Sequence, residues 1–385
     1  MTFKILHRDT STNARIGQLS TKSGTIETPF FMPVATKATA KFVNSKQLEE
    51  MDTRAVISNA FILSVRPGSD FMKKIGGIKK FMNFSGINFT DSGGFQMYSD
   101  SLYISSNDKG VFFKNPYSGE KIFMTPEENM KLQLEIGSDV AMCFDSMPLY
   151  SHSKENIENS VKRTILWAER CKKTHDRLQK KIPLRQRQLL FGISQGGVYS
   201  DLRKFCVEQL LPFDFDGYAI GGVAMPEFTY FGEMEKIKKM EQAVIKVHKE
   251  VVGEQKICYL MGEGDPVWMC EAIALGVDCF DSRMPTQSAR RGTLFTFAGR
   301  LKLLNKKYEK DVRPIEKNCA CFTCKNYSRA YVRFLLREEE GVGLELASIH
   351  NLFYMQRLIK DVKSAIRKNS FGKFVKDFKK VYGKK

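Results

Sequence analysis

The sequence predicts an α/β chain folded as a (β/α)8 TIM barrel, and three observations carry that expectation. Eight short apolar or β-branched runs recur along the chain, most of them separated by helix-like segments. They spread over roughly 300 residues, a span that suits eight β/α units. Acidic, amide or glycine residues stand at the carboxyl ends of most of the runs, as on the functional face of such a barrel. An open doubly wound sheet is the alternative for the same alternation.

The chain has 385 residues, enough to bury one large core or two smaller ones. Its hydrophobic content of 42% and charged content of 27% are those of an ordinary globular protein. Against 43 acidic residues stand 61 lysines and arginines, a net charge of +18. Such an excess favours a polyanionic partner, either nucleic acid or an anionic membrane surface. No apolar run approaches the roughly 20 residues of a membrane-spanning helix. The first nine residues, Met1 to Asp9, are too polar for a signal peptide. The nine cysteines form no even-spaced framework, so reduced thiols and a cytoplasmic location are expected.

Residues 3–28 alternate apolar and polar side chains with breakers at Asn13 and Ser23-Gly24, which predicts a cap of short antiparallel strands. The barrel strands are expected at Phe30–Ala35, Ala55–Ser58, Ile87–Thr90, Val140–Phe144, Leu189–Ile193, Tyr218–Ile220, Lys256–Leu260 and Val277–Phe280. Gly110, Asn115-Pro116 and Ser118-Gly119 predict a hairpin within 92–125. Thr125-Pro126-Glu127-Glu128 is a capping box with Pro at the first helical position. Asp265-Pro266 opens another helix that ends near Gly276. Ser153–Lys180 and Phe228–Val251 read as amphipathic helices.

The special residues fall at strand ends. Asp91, Asp145, Gln195, Gly221-Gly222, Gly262 and Asp281 each follow a strand run. Singly, each is an ordinary turn residue; in register they describe one rim. Paired carboxylates can divide labour between nucleophile and proton carrier. A third can accept hydrogen bonds from the N–H edge of a base such as guanine, and the glycine pairs leave room for a flat ring. A metal-dependent hydrolase would also use rim carboxylates, but none of the five histidines stands at an expected strand end.

Cys319, Cys321 and Cys324 lie within six residues, and His350 follows 26 positions later. Three thiolates and one imidazole make a closed tetrahedral set, hence one structural Zn2+ ion. This places a zinc subdomain at about 300–355, a basic helical region at about 356–385, and the amino-terminal cap at about 1–28 of a single barrel domain. Lys and Arg are dense in the last segment, a surface suited to phosphates. Between about 300 and 355, Tyr327, Tyr331, Phe334, Phe353 and Tyr354 recur at helical spacing, as core residues do.

Taken in order, Asp91-Ser92-Gly93-Gly94-Phe95-Gln96, Phe144-Asp145, Ser194-Gln195-Gly196-Gly197, Gly221-Gly222-Val223-Ala224, Tyr259-Leu260-Met261-Gly262, Asp278-Cys279-Phe280-Asp281, Pro285-Thr286 and the Cys3His set resemble the bacterial type of tRNA-guanine transglycosylase (queuine tRNA-ribosyltransferase). The resemblance spans essentially the whole chain. It implies exchange of the wobble guanine of GUN-anticodon tRNAs for a 7-deazaguanine base, either preQ1 or queuine, in queuosine formation. By the same resemblance Asp281 is the nucleophile that attacks ribose C1′ and Asp91 the general acid/base. Asp145, Gln195, Gly222 and Ser92 bind the base, and Tyr259 and Met261 wall its ring. Arg290 and Gln287 contact RNA, the base flips out of the anticodon stack, and the enzyme is a homodimer. The chain departs from the family at Ser282-Arg283-Met284, where Cys and small apolar residues are usual, and at Gln287, where Arg is common. Met147 and Met225-Pro226 stand where smaller residues are common, and Glu227 is expected to meet an amino substituent of the base. A non-catalytic tRNA-binding subunit of the same fold is the alternative, against which Asp91 and Asp281 both stand.

Overall fold

The computed structural model describes residues 2–93, 102–147, 153–223 and 234–382. Gly94, Phe95, Gln96, His152, Ala224, Met225-Pro226 and Glu227 fall outside them. Three strands open the chain, β1 (Phe3–Arg8), β2 (Arg15–Thr21) and β3 (Gly24–Glu27), paired antiparallel in that order. The barrel starts with β4 (Phe30–Pro33), β5 (Ala55–Asn59) and β6 (Ile87–Asp91). A separate antiparallel sheet of β7 (Tyr103–Asn107), β8 (Gly110–Lys114) and β9 (Lys121–Met124) then interrupts it. The barrel resumes with β10 (Val140–Met142), β11 (Leu189–Ser194), β12 (Gly217–Ile220), β13 (Ile257–Leu260) and β14 (Cys279–Ser282). A hairpin, β15 (Thr293–Thr296) and β16 (Gly299–Lys302), follows.

All eight expected strand runs are strands of one sheet. Each barrel strand pairs in parallel with the next in the chain, and β14 returns to β4. A parallel bridge between Val34 and Ile57 joins β4 to β5 and closes the circle, which excludes an open doubly wound sheet. The strands read as continuous apolar runs because both faces are covered: the inner by facing strands, the outer by helices.

Side-chain alternation sets the inner lining. Phe30, Met32, Ala55, Ile57, Ile87, Phe89, Leu189, Phe191, Ile193, Tyr259 and Cys279 share one apolar cluster inside the barrel. Phe3, Leu19 and Ile26 of the first sheet belong to the same cluster, so that sheet plugs the barrel at the end where strands begin. Arg15 of β2 forks onto Asp278, just before β14, at 2.8 and 2.6 Å, with both side chains buried. Asp278 also accepts the Cys258 N–H at 2.7 Å. The first carboxylate of Asp278-Cys279-Phe280-Asp281 is thus structural, far down the strand from the second.

Helix starts follow the sequence signals. The Thr125 hydroxyl accepts the Glu128 N–H, and the Glu128 carboxylate accepts the Thr125 N–H. Ser153 caps Lys154–Gln179, and Asp265 caps Pro266–Ala274. The long helix Gly341–Arg367 puts Leu346 and Ala347 into a small core with Leu294, Leu301, Val332 and Leu335. Further along, its Leu352, Met355 and Leu358 join the main core. Of the five carboxyl-terminal aromatics, Tyr354 is buried, whereas Tyr331 and Phe334 are 43% and 56% exposed. Among the described residues no helix is long and apolar enough to cross a membrane.

Candidate active site

A cavity of about 360 Å³ opens where the barrel strands end. Asp91, Asp145, Gln195, Gly222, Met261 and Asp281 all line it. Strand alternation brings them there: Asp91 stands one inward step beyond Phe89, Gln195 beyond Ile193, and Asp281 beyond Cys279. Each inner row is apolar until the last inward position, where the polar residue meets the cavity instead of the packed core.

Asp281 is held by two donors. The Tyr259 hydroxyl reaches its Oδ1 at 2.5 Å and the Gly262 N–H reaches the same atom at 2.9 Å. Burial raises the pKa of this carboxyl above its ordinary value, and the two hydrogen bonds oppose the rise. Tyr259 is fully buried and does not line the cavity. It lies beneath Asp281 as a hydrogen-bond donor, not beside the cavity as a ring wall, because it points inward one position before the end of β13. Its ring meets Phe89 edge-on at 6.3 Å.

Asp91 is pushed up to about 7, by burial first and then by the charges of Asp145 and Asp281; the N–H groups of Gly93 and Ser92 pull the other way. Ser92 itself is fully buried, and its carbonyl accepts the Asn129 amide at 2.7 Å. Its contribution to Asp91 therefore runs through the backbone. Asp145 is pushed up to about 6 by burial, against a hydrogen bond from Gln195 and the nearby charge of Arg203. Near neutral pH the rim thus offers a mixture of protonated and ionised carboxyls, the arrangement that acid–base exchange needs.

The Gln195 Nε2 donates to Asp145 at 2.6 Å, while its buried Oε1 has no partner among the described residues. A flat ligand bearing N–H groups would supply one. The Gln195 amide lies directly over the glycine pair. A Cβ on Gly222, whose φ is +67°, would sit 2.6 Å from Gln195 Oε1. Glycine is required there by both backbone and contact.

Arg203 belongs to none of the strand-end motifs. It is fully buried in the helix Ser200–Leu210. Its guanidinium donates to the carbonyls of Gly197 at 2.9 Å, Ser194 at 2.7 Å and Gly221 at 2.6 Å. It thereby ties the ends of β11 and β12 together and sets the positions of Gln195 and Gly222. Ser58, Asn59, Val34 and Thr36 complete the wall above β4 and β5 and were likewise not singled out. Arg290 and Gln287 lie on the helix Met284–Arg290 outside the cavity lining; the Arg290 Nε donates to the Thr286 carbonyl at 3.2 Å.

The cysteine cluster is separate from the cavity. His350 Nδ1 lies 4.0, 3.5 and 3.4 Å from the sulfurs of Cys319, Cys321 and Cys324. All four ligand atoms lie within 4.8 Å of one another. Bond lengths of about 2.3 Å to sulfur and 2.0 Å to nitrogen give a tetrahedral S···N edge of about 3.5 Å, so the set fits one metal ion. The other ring nitrogen of His350 lies 2.8 Å from the Phe295 carbonyl, which fixes the ring with Nδ1 toward the thiols.

Comparison with known proteins assigns the chain to one family. Residues 9–384 match the family described as queuine tRNA-ribosyltransferase. The chain is 43% identical over 381 residues to the queuine tRNA-ribosyltransferase of Lysinibacillus sphaericus, covering 99% of this chain and 96% of the relative. It is 41% identical over 382 residues to that of Halothermothrix orenii, covering 99% and 98%. With the Bacillus subtilis protein of the same name it shares 42% identity over 372 residues, 97% of this chain and 93% of the relative.

Proposed function

The chain belongs to the queuine tRNA-ribosyltransferase family and is an enzyme of queuosine tRNA modification, and from that premise we propose that Asp281 carries a covalent base exchange at the tRNA wobble position. The Asp281 carboxylate attacks ribose C1′ of the wobble nucleotide. The C1′–N9 bond breaks as the ester bond forms, and its electrons leave with guanine, which takes the proton that Asp91 holds. The incoming 7-deazaguanine base then attacks C1′, breaks the ester, releases Asp281 and returns a proton to Asp91.

The observation that carries this reading is the convergence of Asp91, Asp145 and Asp281 on one cavity, with Asp281 held by two donors. Asp145, Gln195 and the backbone of Gly222 and Ser92 serve the base edge, with Met261 against the ring. Tyr259 orients the nucleophile. Arg290 and Gln287, outside the cavity, serve the anticodon loop. Cys319, Cys321, Cys324 and His350 would hold a zinc ion, for which thiolate-rich donors are suited. With all four positions filled by protein, the ion would cross-link the chain and supply no reaction chemistry. A tRNA substrate suits a cytoplasmic location, and a cytoplasmic homodimer is the proposed assembly.

The test is exchange of labelled guanine into wobble-guanine tRNA by the purified chain, with preQ1 and queuine as competitors. Exchange inhibited by one or both bases supports the reading. A purified chain that binds tRNA but exchanges no guanine contradicts the covalent base-exchange reading.

A further inference from the structure

The cavity walls gather three carboxylates, yet the substrate proposed above is a polyanion. Among the described residues only one cationic side chain lines them, that of Arg283. It is exposed, and among the described residues no ion pair or hydrogen bond engages its guanidinium. Its backbone, in contrast, is fixed. The Arg283 carbonyl accepts the Gln287 N–H at 2.9 Å and the Thr286 hydroxyl at 3.2 Å. Just before it, the Ser282 hydroxyl donates to the Gly262 carbonyl at 3.1 Å and accepts the Met284 N–H at 3.1 Å. A free guanidinium thus leaves a rigid base at the mouth of the cavity.

Arg283 is two residues from Asp281, so their Cα atoms lie no more than about 7 Å apart. The phosphates of a nucleotide hang from the O3′ and O5′ of its own ribose. Any ribose whose C1′ meets Asp281 therefore brings a phosphate into the range of an arginine side chain rooted there. We infer that Arg283 forms an RNA-phosphate subsite at the cavity mouth, gripping the backbone beside the reacting ribose. A planar fork of N–H donors matches phosphate oxygens, and its fixed charge offsets the repulsion between the carboxylate rim and the RNA backbone. The inference rests on the base-exchange reading, since it needs a ribose at Asp281.

The experiment is steady-state guanine exchange over a range of salt concentrations for the wild type, R283Q and R283K. Because Arg283 is exposed, the variants are expected to keep the wild-type thermal melt. R283Q should raise KM for tRNA about tenfold, the size of one hydrogen bond to a charged group. Its kcat and pH profile should stay at wild-type values. The slope of log KM against log salt should fall by about 0.7, one phosphate contact on a single strand. R283K should keep the slope and recover part of KM. Wild-type KM and slope in R283Q overturn the inference. So does an effect confined to kcat with a displaced pH profile, which makes Arg283 an electrostatic partner of Asp281. A wild-type chain that exchanges no guanine overturns the base-exchange reading itself, a result distinguishable from either.

Discussion

Replacing Tyr259 with Phe separates two roles for one residue. The ring is kept and only the hydroxyl is lost, together with its 2.5 Å bond to Asp281. That bond favours the ionised carboxylate, so it holds the Asp281 pKa down against burial. A hydrogen bond to a charged acceptor contributes about 1.5–3 kcal/mol. Its loss should therefore raise the Asp281 pKa further. Attack needs Asp281 ionised, so the acid limb of the rate profile moves to higher pH, and the rate on that limb falls about 10–150-fold. The alkaline limb, set by the proton on Asp91 at about 7, stays in place. The assay is single-turnover formation of the enzyme–tRNA adduct between pH 5 and 9. A Y259F profile that coincides with the wild type refutes the orienting role and leaves Tyr259 as a packed ring.

Two further predictions follow from buried groups near the rim. R203M leaves the carbonyls of Ser194, Gly197 and Gly221 without their donor. Partly offset by relief from burying a guanidinium, the net loss should be about 3–5 kcal/mol in denaturant unfolding, with a raised KM for guanine; a loss under about 1 kcal/mol contradicts the bracing role. Asp91 rises from 3.8 to about 7 in the fold, so the native state favours the protonated acid. The stability this gives is complete below pH 3.8 and is lost as pH rises through 7. D91N cannot ionise, so it should match the wild type near pH 4 and exceed it at pH 8 by up to about 4 kcal/mol, while losing exchange. Equal melting at pH 8 contradicts the buried, charge-coupled placement of Asp91.

The barrel was legible because parallel strands covered on both faces carry unbroken apolar runs, and because polar residues interrupt those runs only where they meet the cavity. The Cys3His set was legible because metal ligands are sparse, chemically distinctive and locally spaced. Arg203 was not, since an Arg-Lys pair inside an amphipathic helix reads as solvated surface. A signal was present all the same: Arg203 shares the stripe of Cys206, Val207 and Leu210, at helical intervals of three, four and seven. A charge on an apolar stripe implies buried partners, but which carbonyls they are depends on strands packed from elsewhere in the chain. Tyr259 was placed at the cavity but in the wrong attitude. Inward alternation on β13 buries it below the rim, a depth set by the register of β13 against β14. Arg283 stood out only as a departure from the family, and its place on the cavity wall came from the turn between β14 and the following helix.

The covalent role of Asp281 is tested most directly by trapping the enzyme with its tRNA and separating the products under denaturing conditions. The wild type should migrate in part as a denaturation-resistant adduct of protein and tRNA, and D281A should show none. An adduct that persists in D281A would contradict the assignment of Asp281 as the nucleophile.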